Sequence, residues 1–139
     1  MASAVTQANP RLIALTVPSI PGSVPVARLH VRAALGLRGL DEYADDAGII
    51  TSELVTNAVQ HADGNGTKTI GVAITYAESP AAVTIAVSDS SPHGPIRRDT
   101  PAGSEQGRGL QIVEALSVHW GWRREGGRKV VFAVLAREA

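Results

Sequence analysis

Hydrophobic positions along the chain follow two spacings, and each spacing predicts a different secondary structure. Short runs of alternating or clustered apolar residues predict β-strands, whereas apolar residues at every third or fourth position predict α-helices. The predicted strands are residues 11–17, 69–76, 82–88, 119–123 and 130–135, and the predicted helices are residues 26–37, 41–62 and 110–117. These elements predict a two-layer α/β (α+β) sandwich, in which a mixed, mostly antiparallel sheet carries the helices on one face.

Turn-forming residues set the ends of these elements. Ser23 is suited to cap the first helix, and Gly36 and Gly39 are expected to stop it. The turn at residues 78–80 is expected to join two strands as an antiparallel pair. Residues 130–135 are apolar on both alternating faces. That strand is therefore expected to be covered on both sides or to be paired centrally in the sheet.

The longest predicted helix carries a stripe of polar residues, Glu53, Asn57 and His61, at intervals of four. Residues at this spacing are neighbours on a helix surface, and this stripe borders the apolar face of the helix. A carboxylate can act as a general base, and an amide oxygen suits a hard cation such as Mg²⁺. The pair Glu53 and Asn57 therefore suits phosphoryl transfer. The alternative is that these residues form hydrogen bonds to neighbouring loops.

Two further features follow the helix along the chain. Asp89 ends an apolar strand, where a fixed carboxylate can accept a hydrogen bond from an exocyclic amine such as that of adenine. The alternative is a turn-forming aspartate. Gly107-Arg108-Gly109 opens a helix, whose first amides suit a phosphate. Glycines at such a position also simply allow a loop to turn into a helix, and the sequence contains no P-loop motif.

Composition limits the classes of protein that the sequence allows. The chain of 139 residues is 44% hydrophobic, which is enough for one core. We expect a flexible tail at residues 1–9 and a single domain at residues 10–139. The formal net charge is +0, which argues against direct nucleic-acid binding. The sequence has no cysteine and no apolar run long enough to cross a membrane. We therefore expect a cytoplasmic protein.

Histidine residues offer weaker candidates. A transition-metal site could combine Glu53, His61, Asp89 and His93, but no metal-ligand spacing supports it. His119 lies next to Trp120 in a predicted strand. We expect this side chain to pack rather than to take part in catalysis.

The order of the polar motifs resembles one family. Glu53-x-x-x-Asn57 on a helix, Asp89 after a strand and Gly107-Arg108-Gly109-Leu110 at the start of a helix resemble the histidine kinase-like (GHKL) ATPase superfamily. The chain is most similar to the small bacterial ATP-binding proteins related to anti-sigma-factor serine kinases. ELVTNAVQHA resembles the N-box of that family, and GRGLQIV resembles its second glycine box. The resemblance covers nearly the whole chain and implies the Bergerat-type ATP-binding fold.

The resemblance implies roles for individual residues. Asn57 would hold Mg²⁺ against the phosphates, Glu53 would be the catalytic base, and Asp89 would bind the amine of adenine. His61 would support the helix or the phosphate side of the pocket. The phosphates would lie against four consecutive residues, Gly107, Arg108, Gly109 and Leu110. Residues 90–106 would form a lid over ATP.

The sequence departs from the family pattern at two places in the nucleotide pocket. The first glycine box usually reads Asp-x-Gly-x-Gly, but here Ser91 stands at its first glycine. Lys129 stands where many relatives have a threonine near the adenine. Both residues are expected to contribute to the cofactor site.

Two functions follow from the resemblance. The first is an ATP- and Mg²⁺-dependent serine/threonine-protein kinase that binds a sigma factor and phosphorylates an anti-sigma antagonist. The alternative is a non-catalytic, nucleotide-binding switch that sequesters a protein partner. The resemblance also suggests a homodimer.

Overall fold

The computed structural model describes residues 11–61, 68–79, 81–91 and 108–136. Each element that the sequence predicts is present in these residues, with ends that differ by a few residues at most. The strands are β1 (Arg11–Pro18), β2 (Thr69–Glu78), β3 (Ala81–Asp89), β4 (His119–Glu125) and β5 (Arg128–Ala136). The helices are α1 (Ser23–Leu37), α2 (Asp41–His61) and α3 (Arg108–Leu116). The predicted tail at residues 1–9 and all of the predicted lid at residues 90–106 except its first two residues lie outside the described residues.

The strands form one open sheet in the order β1-β2-β3-β5-β4. Every pair of neighbouring strands among the described residues is antiparallel. β5 lies between β3 and β4, which confirms the central pairing predicted from its apolar residues. The predicted fold class is confirmed, because three helices pack on this sheet to give an α+β domain.

The core lies between the helices and one face of the sheet. α1 packs against β1 and α2, while α2 packs against β3, β5 and α3. Alternate residues of the strands point into this layer, as the period of two in a strand requires. The core includes Ile70, Val72 and Ile74 of β2, Val83, Ile85 and Val87 of β3, and Ile50, Leu54, Val55 and Ala58 of α2. The apolar face predicted for α2 is therefore the face that meets the sheet.

The ends of α1 differ in part from the prediction. Ser23 does not cap the helix, because Gly22 is the N-cap residue and Ser23 is the first helical residue. The Ser23 hydroxyl instead donates a hydrogen bond to the carbonyl oxygen of Pro18 at 2.6 Å. Gly36 lies inside the helix and does not stop it. Gly39 does mark the stop, with a φ of 70° that favours glycine.

Phe132 of β5 lies on the face of the sheet opposite the core, since its neighbours Val131 and Ala133 belong to the core. The rings of His119 and Phe132 lie 5.6 Å apart, which agrees with the packing role predicted for His119. A Cβ atom on Gly121 would lie only 3.0 Å from the Phe132 ring. The glycine therefore provides room for the ring on this face.

The β4–β5 hairpin closes through Gly126 and Gly127, whose φ angles are 55° and 82°. Positive φ at both central residues is the geometry of a two-residue hairpin turn that matches the twist of the strands. The turn fixes the register of β4 and β5, in which Arg124 lies opposite Lys129. No helix in the described part of the chain is long and apolar enough to cross a membrane.

Candidate functional site

The polar stripe of α2 lies where the sequence predicts it, at the border of the core. Glu53, Asn57 and His61 are each half-buried. Their apolar neighbours Leu54 and Ala58 are buried against the sheet and hold the helix in place. The stripe is therefore fixed by core packing while its side chains keep access to solvent.

Glu53 has an altered acidity in this position. Burial raises the pKa of the Glu53 carboxyl above its ordinary value, because removal from water disfavours the charged form. A carboxylate with a raised pKa is a stronger proton acceptor than an exposed one. Glu53 thus has the electrostatic setting of a general base, with Asn57 one helical turn away.

At the end of β3, the structure brings together two residues that are far apart in the sequence. Asp89 pairs with Lys129 of β5 in the antiparallel register. The Lys129 Nζ lies 3.4 Å from Asp89 Oδ2, and the two side chains are 2% and 5% exposed. Charged side chains buried to this extent are rare unless they are paired. The ion pair therefore supplies both a buried acceptor and a buried donor at this end of the sheet.

Ser91 extends this cluster. Its backbone N–H donates a hydrogen bond to Asp89 Oδ1 at 2.7 Å. The Nη1 of Arg124 donates to the carbonyl oxygen of Ser91 at 2.7 Å. These bonds fix the chain immediately after β3 against the edge strand β4. Sequence reasoning missed Arg124, because no local motif indicates that β4 lies beside the residues that follow β3.

A small cavity at the end of β5, opposite to Lys129, shows in which direction α2 and α3 run. The cavity is lined by Glu42, Tyr43, Asp46, Leu116, Leu135 and Ala136. The first turns of α2 and the last turn of α3 thus lie near the end of β5. At about 1.5 Å per helical residue and about 3.3 Å per strand residue, Asn57 and Lys129 are each about 20 Å from this end. The polar stripe of α2 and the start of α3 therefore both lie away from this cavity.

The predicted glycine motif is described only in part. Arg108 and Gly109 are the first residues of α3, and Leu110 is buried in the first turn. Gly107 lies outside the described residues, as does His93. The helix begins two residues earlier than the sequence predicted, so Arg108 and Gly109 belong to the first turn of α3.

The described residues contain no group of three or more histidine, cysteine or acidic side chains that could hold a metal ion. Mg²⁺ needs no such group, because it commonly uses one or two protein oxygens together with water and the phosphates of a nucleotide. The amide oxygen of Asn57 is of the right chemical type for this role. This oxygen donor therefore suits a magnesium–nucleotide complex better than a transition metal.

The chain thus combines an open antiparallel sheet, a polar stripe on the helix packed over it and a buried carboxylate at the end of a strand. A family model described as the histidine kinase-like ATPase domain matches residues 17–135. The chain belongs to this family, and membership implies that it binds ATP.

A solved structure supports the same fold. The crystal structure of the RsbU and RsbW domains of Rv1364c from Mycobacterium tuberculosis is similar to this chain, with a TM-score of 0.64 and 20% sequence identity. The match covers 94% of this chain but 34% of that chain. No curated protein matches the sequence. At this level of identity the similarity concerns the fold.

Proposed function

We propose that the protein is an ATP- and Mg²⁺-dependent serine/threonine-protein kinase that binds a sigma factor and phosphorylates an anti-sigma antagonist. Family membership supports ATP as the nucleotide, and the fold agrees with that of a solved structure that includes an RsbW domain. The sequence resemblance to anti-sigma-factor serine kinases supports the protein partners.

The observation that carries this proposal is the pairing of Glu53 and Asn57 on α2. The two side chains lie one helical turn apart, both half-buried, on the helix that packs over β3. Phosphoryl transfer depends on positioning and charge neutralisation, and it needs a group that accepts the proton of the attacking hydroxyl. In the proposed site Asn57 contributes to Mg²⁺ binding and Glu53 accepts the proton. Asp89 binds the amine of adenine, and His61 supports the phosphate side of the pocket.

The start of α3 is the proposed phosphate site. Its free backbone amides and the positive end of the helix dipole favour an anion. Arg108 adds a positive charge, and Gly109 allows close approach of the backbone. This assignment gives Gly107 through Leu110 a common role in binding the phosphates.

The alternative function is a nucleotide-loaded switch that sequesters its partner without chemistry. Such a switch needs Asn57 and Asp89 but has no use for a base. The raised pKa of Glu53 favours the kinase, because a carboxyl whose pKa is raised by burial is better suited to accept a proton. We therefore rank the kinase first.

Calorimetric titration with ATP, with and without Mg²⁺, tests the nucleotide site. We expect binding by the wild type to depend on Mg²⁺. Asn57→Ala should weaken Mg²⁺-dependent binding by about 10- to 100-fold, the range for a lost hydrogen bond or ligand to a charged group. Gln60→Ala is the matched control, because Gln60 is exposed on the same helix. Equal affinity of the two variants would remove Asn57 from the site, and no binding by the wild type would refute the proposed function.

Phosphate transfer from γ-labelled ATP tests the catalytic step. The acceptor is a small antagonist protein from the same cell, added in excess over the kinase. Label should appear on a serine or threonine of the acceptor. Binding of ATP without any transfer to the acceptor would favour the switch.

A further inference from the structure

The buried pair formed by Asp89 and Lys129 carries an inference that rests on the proposed nucleotide site. Both oxygens of the Asp89 carboxylate have donors from the protein. Oδ1 accepts the backbone N–H of Ser91 at 2.7 Å, and Oδ2 lies 3.4 Å from the Lys129 ammonium. The carboxylate that is proposed to contact the base thus has a second charged group beside it, and both groups are buried.

A carboxylate alone and a carboxylate beside an ammonium form different hydrogen bonds with the substituent at position 6 of a purine. An ionised carboxylate only accepts hydrogen bonds, so it favours the 6-amino group of adenine and repels the 6-oxo group of guanine or hypoxanthine. An ammonium only donates, with three N–H groups. Because Lys129 lies against Asp89, the cluster contains a donor that can satisfy a 6-oxo group.

The two groups together match both kinds of purine edge. Adenine presents an amine donor at position 6 beside the acceptor N1, whereas hypoxanthine presents an oxygen acceptor at position 6 beside the donor N1–H. The atom at position 6 can pair with Asp89 when it is an amine and with Lys129 when it is an oxygen, because the two side-chain groups lie only 3.4 Å apart. A threonine or an apolar residue at position 129 would not supply the positive charge.

We propose that Lys129 is a specificity-determining residue that makes the base site accept 6-oxopurine nucleotides as well as ATP. Lys129 is 1% exposed, and its place opposite Asp89 is fixed by the register of β3 and β5. The ammonium therefore stays beside the carboxylate and cannot swing out into solvent. The substrate class of the site is a purine nucleoside triphosphate with either substituent at position 6.

The test compares four magnesium–nucleotide complexes on the wild-type protein: ATP, ITP, GTP and purine riboside triphosphate, which lacks a substituent at position 6. We expect ITP to bind within about tenfold of ATP and more tightly than purine riboside triphosphate, since a hydrogen bond to a charged group contributes about 1.5–3 kcal/mol, or about 10- to 150-fold. If Asp89 reads the base alone, ITP will instead bind more weakly than purine riboside triphosphate. That order would overturn the inference.

ITP and GTP differ only in the 2-amino group. Comparing their affinities therefore separates the effect of the substituent at position 6 from that of the substituent at position 2. Tight binding of both, or of ITP alone, supports the inference, because ITP alone carries the 6-oxo group without a second substituent. If none of the four nucleotides binds, the proposed function itself fails. If ATP binds and ITP ranks last, the proposed function stands and only the role of Lys129 fails.

A variant pair then assigns the effect to Lys129. We expect Lys129→Met to weaken ITP binding by at least tenfold relative to ATP binding. Arg38→Met is the matched control, because it removes one positive charge from the exposed end of α1. Equal losses for ATP and ITP in Lys129→Met would overturn the inference. The wild-type series keeps the proposal testable if the Lys129 variant does not fold.

Discussion

The strand side and the helix side of the candidate site are built in different ways. On the strand side, Asp89 and Lys129 are almost fully buried and paired with each other. On the helix side, Glu53 and Asn57 are half-buried. Breaking a buried charge pair lowers the free energy of unfolding of the domain, whereas replacing a half-exposed side chain changes this free energy little. This difference predicts that substitutions on the strand side change both nucleotide binding and stability. Substitutions on the helix side should change phosphate transfer with little loss of stability.

The largest effect is expected on the helix side, and it should appear in activity. Glu53→Gln keeps the size of the side chain but removes the proton acceptor. We expect phosphate transfer to fall by about 10²- to 10⁴-fold, the usual contribution of a general base. The measurement is the single-turnover rate of transfer from labelled ATP, with ATP binding measured in parallel.

The Glu53 prediction has a clear control. Gln60→Ala changes an exposed side chain of the same helix and should transfer phosphate at the wild-type rate. If Glu53→Gln transfers phosphate as fast as the wild type, Glu53 is not the base. The helix side would then serve binding alone, as in the switch.

The next largest effect is expected on the strand side, and it should appear in stability. Lys129→Met leaves the Asp89 carboxylate buried without its cation. Breaking a buried ion pair in this way costs about 3–5 kcal/mol. We expect urea denaturation to show a loss of unfolding free energy of this size, so that the midpoint falls sharply.

An exposed ion pair provides the comparison for Lys129→Met. Arg32 and Asp45 lie 3.0 Å apart, with side chains that are 52% and 85% exposed. Asp45→Ala should cost at most about 1 kcal/mol, because solvent screens such pairs. Similar losses from the two variants would mean that burial does not distinguish the strand side, and the contrast between the two sides would fail.

The smallest effect concerns the pH dependence of stability. Because burial raises the pKa of Glu53, the folded state binds the proton of this carboxyl more tightly than the unfolded state does. Glu53 therefore favours folding at pH values below the unfolded pKa, and this contribution is lost as the pH rises through the folded pKa. Relative to the wild type, Glu53→Gln should gain stability as the pH rises through this range. Urea titrations of both proteins at several pH values would measure the change, and parallel curves would contradict it.

Local sequence patterns were sufficient to predict the helices and strands and the position of the polar stripe on α2. The spacing of Glu53, Asn57 and His61 fixes their common stripe, because the period of a helix is a local property. The apolar residues of α2 fix which face meets the sheet. Capping was less predictable, since Ser23 bonds to Pro18 only because the chain turns back at that point.

The family motifs added what periodicity could not. Periodicity alone left Asp89 open as either a turn residue or a ligand. The order of the motifs in the sequence pointed to the histidine kinase-like family, and the family model confirms that assignment over residues 17–135. The individual site roles remain proposals for the experiments above.

The sequence by itself determined the strands, the helices, the polar stripe of α2 and the family. Only the tertiary structure decided that Lys129 neutralises Asp89 and that Arg124 binds the chain at Ser91. The physical reason is that these contacts depend on the register between strands that are distant in the chain. Helical and strand periods depend on residues that are neighbours in the sequence, whereas strand register depends on the packing of the whole sheet.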